Sequence, residues 1–413
     1  MTPTQKPSPL HQLSDLYAQR ARDLAARVVG AAQQGRAAPI SLAFGLADPA
    51  LFPTRALAAA TAEALSEHPD AALNYGPPSR ELIEQIATRL RLEGIAAEPD
   101  HLMVSYGSGQ ILALLPQVLV DPGDVVMIEG PSFMVAVRRF ELAGARIITV
   151  PLDAQGMDVD VLASSLADLA RAGIRPKFIY TIPTFHNPAG VTMPLERRKQ
   201  LVALAAHYGV LIVEDDAYGE LRFVGDALPS LAALDREGWV IRIGTYSKIL
   251  APGVRVGWAY GPRELLERLS MFRSEGNVGP FLTHVVARYC ANGRLEAHIE
   301  ELRALYRQKC QVMLDAIRRE FPPDVQTIAP EGGFFIWCRL PADLRATALL
   351  PLAAERGVAF LPGVRCYSNG QGDNAIRLSF SYHDTASLTE GIARLADAMR
   401  TLRAEGEVSE LGT

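Results

Sequence analysis

Short runs of apolar and β-branched residues alternate with longer amphipathic stretches through the middle of the chain. Stretches such as Leu195–Tyr208 place apolar residues at helical spacing. Strands that alternate with helices predict an α/β fold, in which helices cover both faces of a mainly parallel sheet. Ligands of such sheets bind at the carboxyl ends of the strands. The predicted strands are His101–Ser105, Val125–Glu129, Arg146–Val150, Lys177–Ile182, Val210–Glu214 and Val240–Gly244.

The alternation of predicted strands and helices changes toward both ends of the chain. Residues 1–14 predict a flexible arm without the apolar core of a signal peptide. Asp15–Gln33 predicts an amphipathic helix, and residues 39–44 a short strand. Beyond residue 285, a long charged helix (Leu295–Glu320) precedes a Gly-Gly-Phe-Phe-Ile-Trp strand and an Ile376–Ser381 strand. We therefore predict an N-terminal arm and helix over residues 1–45 that pack with the small domain, a large domain over 46–285, and a small α+β domain over 286–413.

Composition narrows the class of function. The 413 residues are 49% hydrophobic and 21% charged, which is typical of a globular protein long enough for a large core and two domains. The formal net charge of −5 argues against nucleic acid as a partner, and we expect the basic triplet at residues 197–199 to lie on a solvated helix face.

Membrane and metal partners are not expected either. The longest apolar stretch, Ile111–Val120, contains Gln117 and is too short to span a bilayer, so we expect a cytoplasmic protein. The four cysteines show no Cys/His spacing typical of zinc sites, and no metal is predicted.

The segment Gly244-Thr-Tyr-Ser-Lys-Ile-Leu-Ala-Pro-Gly-Val-Arg carries the most informative lysine. Lys248 follows an apolar strand, has hydroxyls at Thr245 and Ser247, and precedes Arg255 by seven residues. A lysine amine can form a Schiff base with a carbonyl cofactor, while hydroxyls and an arginine can hold a phosphate. A solvated loop lysine is the alternative, and this segment alone does not exclude it.

A second strand ends in acids and a tyrosine. Val210-Leu-Ile-Val leads into Glu214, Asp215, Asp216 and then Tyr218. An acid at the end of a buried strand needs a cation, and a protonated pyridine nitrogen is one candidate. A solvated strand end or a metal site are the alternatives.

Two turns complete the pattern. Gly107-Ser108-Gly109 stands between a strand and an apolar helix, where backbone N–H groups can approach a phosphate. It lacks the third glycine of the dinucleotide fingerprint. A second turn, Asn187-Pro188-Ala-Gly, follows another strand and can present the Asn187 amide to a cleft. Each turn alone is a weak signal.

Together these motifs resemble the fold-type I pyridoxal-phosphate enzymes of aminotransferase class I/II, and most closely the branch with α-aminoadipate and kynurenine aminotransferases. The resemblance runs from about Ile40 to His383, and Asp215 and Lys248 are 33 residues apart (248 − 215), as in that branch. It implies a large domain with a seven-stranded sheet, a smaller α+β domain, and a pyridoxal 5′-phosphate cofactor. The motif residues in order are Tyr75, Gly107, Ser108, Gly109, Phe133, Asn187, Asp215, Tyr218, Lys248, Arg255 and Arg377.

The resemblance also implies a role for each residue. Lys248 would form the Schiff base and shuttle the substrate proton, Asp215 would pair with the pyridinium, and Tyr218 and Asn187 would bond its phenolic oxygen. Phe133 would stack on the ring. The phosphate would be held by Ser108, Gly109, Thr245, Ser247 and Arg255.

Substrate and partner contacts follow from the same resemblance. Arg377 would take the substrate α-carboxylate, with Asn187 and Gly45 also lining the substrate site. Tyr75 would reach the phosphate of the neighbouring subunit, which implies a homodimer with shared active sites. The implied reaction moves the amino group of an L-amino acid to a 2-oxo acid through pyridoxamine phosphate.

Two departures from the branch leave other outcomes open. Phe133 stands where the branch usually has tyrosine, and His186 where glutamine is usual. His186 is either an ordinary turn residue, which we favour, or a titratable group that redirects the reaction.

Two alternatives to transamination remain open. The first is a β- or γ-elimination, replacement or cyclisation enzyme that uses the same cofactor. The second is a cofactor-sensing regulator fused to a DNA-binding domain. The second is disfavoured because only about 40 residues precede the predicted core and no basic recognition helix is found among them. The identities of the amino donor and the oxo acceptor are not predicted.

Overall fold

The structure is a computed structural model that describes Leu16, residues 40–273, Gly276 and residues 278–411, with side chains through residue 406. The predicted N-terminal arm and the Asp15–Gln33 helix therefore lie outside the described residues, apart from Leu16. The strands are β1 (Ile40–Ser41), β2 (Leu102–Ser105), β3 (Val125–Gly130), β4 (Arg146–Asp153), β5 (Gly156–Met157), β6 (Phe178–Thr181), β7 (Leu211–Asp216), β8 (Val240–Thr245), β9 (Gly257–Tyr260), β10 (Gln326–Thr327), β11 (Phe335–Arg339), β12 (Val358–Ala359), β13 (Leu361–Pro362) and β14 (Ala375–Ser379).

Thirteen α-helices lie within the described ranges. They are α1 (Thr54–Glu67), α2 (Pro69–Leu73), α3 (Arg80–Leu92), α4 (Ser108–Leu119), α5 (Met134–Leu142), α6 (Val159–Arg171), α7 (Leu195–Tyr208), α8 (Leu231–Leu234), α9 (Arg263–Met271), α10 (Pro280–Cys290), α11 (Arg294–Glu320), α12 (Ala346–Glu355) and α13 (Thr385–Leu411). Short 3₁₀ turns occur at Pro49–Leu51, Pro99–His101, Gly219–Leu221, Pro252–Val254, Ala291–Gly293 and Gly363–Cys366.

A large sheet organises the middle of the chain, in the order β2-β9-β8-β7-β6-β3-β4-β5. The four pairings from β4 through β3, β6 and β7 to β8 are parallel, whereas β9 is antiparallel to both β8 and β2. The prediction of an α/β fold with a mainly parallel sheet is confirmed. Seven strands form the body of the sheet, and the two-residue β5 adds an eighth at the edge.

Alternate residues of the central strands pack into two different cores, because successive side chains of a strand point to opposite faces. In β3, Val125 and Met127 belong to one core cluster, while Val126 and Ile128 belong to the other. Helices cover both faces, which explains why these strands are apolar throughout. All six predicted strands are present with ends within three residues of those predicted, but β9 was not among them.

A second sheet lies in the C-terminal part of the chain. Strands β10, β11, β14 and β13 are antiparallel, and Trp337 of β11 is paired with Arg377 of β14. Near the other end of the chain, β1 pairs in parallel with β12, through Ile40 and Val358. The predicted domain limits at residues 45 and 285 stay a prediction.

Candidate active site

The candidate residues converge at the carboxyl ends of the central strands, as the sheet architecture requires. Asp215 is in β7, Lys248 follows β8 by three residues, and Asn187 lies in the connection after β6. Ser108 opens helix α4 directly after β2. Strand order in the sheet therefore brings together residues that are far apart in sequence.

Lys248 lies in a largely apolar environment. Its Nζ donates a hydrogen bond to the Gly45 carbonyl at 2.8 Å and lies 5.8 Å and 5.5 Å from the ring centres of Tyr218 and Phe334. Burial, followed by the positive charge of Arg377, lowers the pKa of this amine to about 8. A larger fraction of the amine is therefore neutral, and nucleophilic, at physiological pH.

Asp215 is buried and has one oxygen without a partner. The hydroxyl of Tyr180 donates to Oδ2 at 2.7 Å, whereas Oδ1 has no hydrogen-bond partner among the described residues. Burial raises the pKa of this carboxyl group to about 6, and the bond from Tyr180 opposes that rise. A buried acceptor without a donor is a costly feature, and a protonated ring nitrogen would satisfy it.

Tyr180 is a functional candidate that sequence reasoning missed. It belongs to the apolar run of β6 and is completely buried, so its sequence pattern is that of a core residue. Its partner in the sheet is Val213, two residues before Asp215 in β7. Tyr180 and Asp215 are thus diagonal neighbours on adjacent strands. The sequence would have indicated their contact only if the strand order had been known.

An anion site lies at the start of α4. Gly107 caps the helix with φ = 70°, a backbone conformation that favours glycine. A Cβ at Gly107 would lie 2.8 Å from the Arg255 guanidinium, so glycine also permits the close approach of this cation. Arg255 donates to the Tyr106 carbonyl at 3.0 Å and is otherwise exposed. The helix N-terminus with Ser108 and an arginine beside it is suited to a phosphate.

Two hydroxyl residues, Thr245 and Ser247, stand immediately before Lys248. Thr245 Oγ1 donates to Ser247 Oγ at 2.9 Å and accepts from the Ser247 N–H at 3.1 Å. Both residues are buried. The Thr245 hydroxyl uses its hydrogen on Ser247, whereas the Ser247 hydroxyl keeps its own hydrogen for a further ligand.

A buried arginine and an amide form the other end of the site. Arg377 Nη1 donates to Asn187 Oδ1 at 2.7 Å and Nη2 donates to the Ala43 carbonyl at 2.5 Å. The side chain of Asn187 is also hydrogen-bonded to the Tyr218 hydroxyl. Arg377 lies 4.1 Å from the ring centre of Phe335, and its Nε has no partner among the described residues. No carboxylate pairs with this buried cation in the described part of the chain, so an anionic ligand would find it available.

Gly45 is required by close packing rather than by its backbone angles. A Cβ at this position would lie 2.4 Å from Cζ of Phe335. The ring of Phe335 is confined on its other sides by Arg377 and by Tyr218, whose ring centre is 5.7 Å away. Gly45 therefore lets the segment after β1 pass directly over the site.

Two further predicted residues lie at the start of a helix and on the surface. Phe133 caps helix α5 and is half-buried against the core cluster that contains Ile128 and Tyr180. Tyr75 is fully exposed and lies outside the buried cluster around Lys248 within a single chain.

The structure clarifies the unusual His186. It is buried, and both ring nitrogens are hydrogen-bonded, one to Glu129 and the other to the Ala189 N–H. A histidine held in this way supports the interpretation as a turn residue rather than as a free acid or base.

The basic triplet at residues 197–199 corrects another expectation. Arg197 is paired with Asp153 and Lys199 with Glu196, but Arg198 is completely buried. The expectation of a solvated face is wrong for Arg198, because its guanidinium bonds the carbonyl oxygens of the connection after β6.

Comparison with known proteins identifies the class. Residues 40–395 match the model of the family "Aminotransferase class I and II", to which the chain therefore belongs. The predictions of a fold-type I enzyme, a pyridoxal-phosphate-dependent transferase acting on amino acids, are confirmed.

The chain is similar to three named aminotransferases over most of its length. Aromatic-amino-acid aminotransferase 1 of Thermococcus litoralis is 37% identical over 87% of this chain and 88% of its own length. The 2-aminoadipate transaminase of Thermus thermophilus is 38% identical over 88% of this chain and 91% of its own length. The solved kynurenine aminotransferase of Pyrococcus horikoshii is 36% identical, with a TM-score of 0.88, and the match covers 95% of this chain and 99% of that one.

The described residues contain neither a membrane-spanning helix nor a metal-binding cluster. No helix there is long and apolar enough to cross a membrane. In the same ranges, no three His, Cys, Asp or Glu side chains are grouped so that they could hold a metal ion.

Proposed function

We propose that this aminotransferase moves the α-amino group of an L-amino acid to a 2-oxo acid, with Lys248, Asp215 and Tyr218 as its catalytic residues. The observation that carries the proposal is the free Oδ1 of Asp215, buried in the same site as an amine whose pKa is lowered to about 8. Bound pyridoxal phosphate supplies a carbonyl for the amino group and an electron-withdrawing ring.

Lys248 and Asp215 would act at opposite ends of the cofactor. The Lys248 amine would hold the cofactor and, when free, could accept and return the proton of the substrate Cα. Asp215 would hold the ring nitrogen in its protonated form, because an ionised carboxylate raises the pKa of a neighbouring base. Tyr180 supports this role by holding Oδ2 and leaving Oδ1 for the ring.

The remaining cofactor contacts follow the geometry of the site. Tyr218 and Asn187, which are hydrogen-bonded to each other, would both contact the phenolic oxygen. Phe133 would stack on the ring from the start of α5. The phosphate would be held by Ser108 and Gly109 at the N-terminus of α4, by the hydroxyls of Thr245 and Ser247, and by Arg255.

Arg377 would bind the substrate α-carboxylate. It is a buried cation without a carboxylate partner in the described part of the chain, and a guanidinium can bind a carboxylate through two parallel hydrogen bonds. Asn187 orients it from one side. Gly45 would line the same space, where its lack of a side chain would leave room for the substrate.

We further propose a homodimer in which Tyr75 of one chain contacts the phosphate held by the other. The support is the full exposure of this large aromatic residue, together with the exposure of neighbouring Leu73 and of Arg255. Mixed dimers of Tyr75→Phe and Lys248→Ala chains would test it. If the site is shared, each mixed dimer has one site with both substitutions and one with neither, so about half of the wild-type sites remain active. The cytoplasmic location and the absence of a nucleic-acid partner remain predictions from composition.

The decisive experiment is a spectral titration of the holoenzyme with a panel of L-amino acids. An amino donor should remove the visible band of the lysine-bound cofactor and produce the pyridoxamine band, and a 2-oxo acid should reverse the change. Borohydride reduction of a separate sample, kept free of substrate, should fix the cofactor on Lys248 and leave Lys309, another buried lysine, unlabelled. Release of an oxo acid without any pyridoxamine band would contradict transamination and favour elimination.

A further inference from the structure

The connection between β6 and α7 carries Asn187 and is buried along most of its length. All residues from Thr181 to Val191 except Thr184 are buried. Connections normally run over the surface, since buried backbone polar groups need internal partners. This connection must therefore be held by specific polar contacts, and two buried side chains supply them.

Arg198 holds the two ends of the connection. Its Nη2 donates to the Pro183 carbonyl at 2.9 Å and to Thr184 Oγ1 at 2.8 Å, while Nε donates to the Met193 carbonyl at 2.8 Å. These bonds close the base of the loop. They do not reach its centre, where Asn187 is located.

His186 holds the centre, directly beside Asn187. Its Nδ1 accepts a hydrogen bond from the Ala189 N–H at 3.2 Å. A backbone N–H can only donate, so Nδ1 carries no proton and the ring hydrogen is on Nε2. Nε2 is 3.0 Å from Glu129 Oε2, to which it donates. These two contacts fix one tautomer of the imidazole and use both of its nitrogens.

Glu129 connects this imidazole to the sheet. The carboxylate belongs to β3, is 1% exposed, and accepts from Thr181 Oγ1 at 2.7 Å and from the Ile182 N–H at 2.9 Å. The bond from His186 is its third. Three donors make a buried carboxylate tolerable, and they also fix it rigidly at the end of the neighbouring strand.

We infer that His186, anchored by Glu129, is a positioning residue that sets the Asn187 amide and, through it, the guanidinium of Arg377. The inference rests on the proposed function, in which Asn187 contacts the cofactor and Arg377 the substrate carboxylate. Loss of the imidazole would leave the Ala189 N–H unpaired and Glu129 one donor short, next to the residue that must stay aligned. His186 acts through Asn187 and not on the substrate.

The test compares His186→Phe with His186→Gln in the holoenzyme. Phenylalanine keeps a ring but loses both hydrogen bonds, whereas glutamine can still donate to Glu129. His186→Phe should raise KM for the amino donor about tenfold, the factor expected for one misplaced buried hydrogen bond, with a smaller change in kcat. It should also shift the pH at which the visible band of the bound cofactor changes, and His186→Gln should restore both quantities.

His298→Leu is the matched control for stability. His298 is also buried but lies in α11 against Tyr289. His298→Leu should change the thermal midpoint without moving KM or the spectral titration, because His298 lies outside the connection that carries Asn187. If His186→Phe does not yield folded holoenzyme, His186→Asn replaces it, because its amide can still accept from Ala189 but is too short to reach Glu129.

The outcomes separate the two proposals. If KM and the spectral titration of the substituted enzyme stay within twofold of wild type, or if His186→Gln is as impaired as His186→Phe, the positioning role is wrong. If the wild-type enzyme forms no pyridoxamine band with any amino acid, the proposed function fails instead. The spectral comparison of the His186 variants is still informative in that case, since it needs no substrate.

Discussion

In the cofactor-free protein, Asp215→Asn should gain stability relative to wild type as the pH rises from 5.0 to 7.5. The same substitution should impair function. The pKa of this carboxyl group is raised from 3.8 to about 6 by burial. Because the carboxyl group binds its proton more tightly in the folded state, the free energy of unfolding is highest below pH 3.8. It falls as the pH rises through about 6. At pH 7.5 the ionised group costs about 3 kcal/mol relative to its neutral form, from about 2.2 pKa units at 1.36 kcal/mol each.

The amide of the variant does not titrate, so this pH-dependent loss disappears. The difference in the free energy of unfolding, variant minus wild type, should be about 1 kcal/mol more favourable to the variant at pH 7.5 than at pH 5.0. Urea unfolding of the two cofactor-free proteins at both pH values measures it. Comparing the pH values removes any constant cost of placing an NH₂ group at the position of Oδ1.

Lys248→Met provides the control background, because it removes a neighbouring amine that also titrates. The pH-dependent difference should persist there, since burial is the largest cause of the Asp215 shift. In the holoenzyme the effect should reverse, with weaker cofactor binding, because the ring nitrogen loses its anionic partner. A difference that is independent of pH in both backgrounds would refute the reasoning that burial raises this pKa.

Three further substitutions test neighbouring contacts. Tyr180→Phe removes the hydrogen bond to Asp215 and should weaken cofactor affinity about tenfold in titrations of the cofactor-free enzyme; unchanged affinity would exclude a supporting role. Gly45→Ala places a methyl group 2.4 Å from Phe335 and should cost about 1–3 kcal/mol in urea unfolding and raise KM, so a variant with wild-type stability would contradict the packing argument. Arg377→Lys should raise KM for the amino donor by about 100-fold in steady-state assays while leaving the absorption of the bound cofactor unchanged, since lysine cannot form the two parallel bonds.

The positions of the main candidates could be predicted because they depend on local pattern. Lys248, Asp215 and Asn187 each follow or end an apolar strand, and parallel strands bring their carboxyl ends to one edge of the sheet. The short strand β9 was missed because Gly257–Tyr260 has few β-branched residues and follows a Pro-Gly turn.

Other contacts could not be predicted because they depend on which strands are neighbours. Tyr180 and Arg198 look like an ordinary core residue and an ordinary surface cation in the sequence, yet both are buried and hydrogen-bonded at the site. Glu129 and His186 are 57 residues apart, and they meet only because β3 lies beside β6. No local periodicity contains that information.

The segment after β1 has a consequence for how the enzyme responds to ligands. Its carbonyl at Ala43 accepts from Arg377, and its carbonyl at Gly45 accepts from Lys248, so one short stretch of backbone is held by two of the cationic residues of the site. A substrate carboxylate competes for one of these donors, and attachment of the cofactor occupies the other. A ligand that takes Arg377 or Lys248 away from these carbonyls removes a contact of the segment. By thermodynamic linkage, a change that immobilises the segment alters the affinity for that ligand by the same factor. Ligand occupancy of the site and the order of the backbone directly after β1 are therefore coupled.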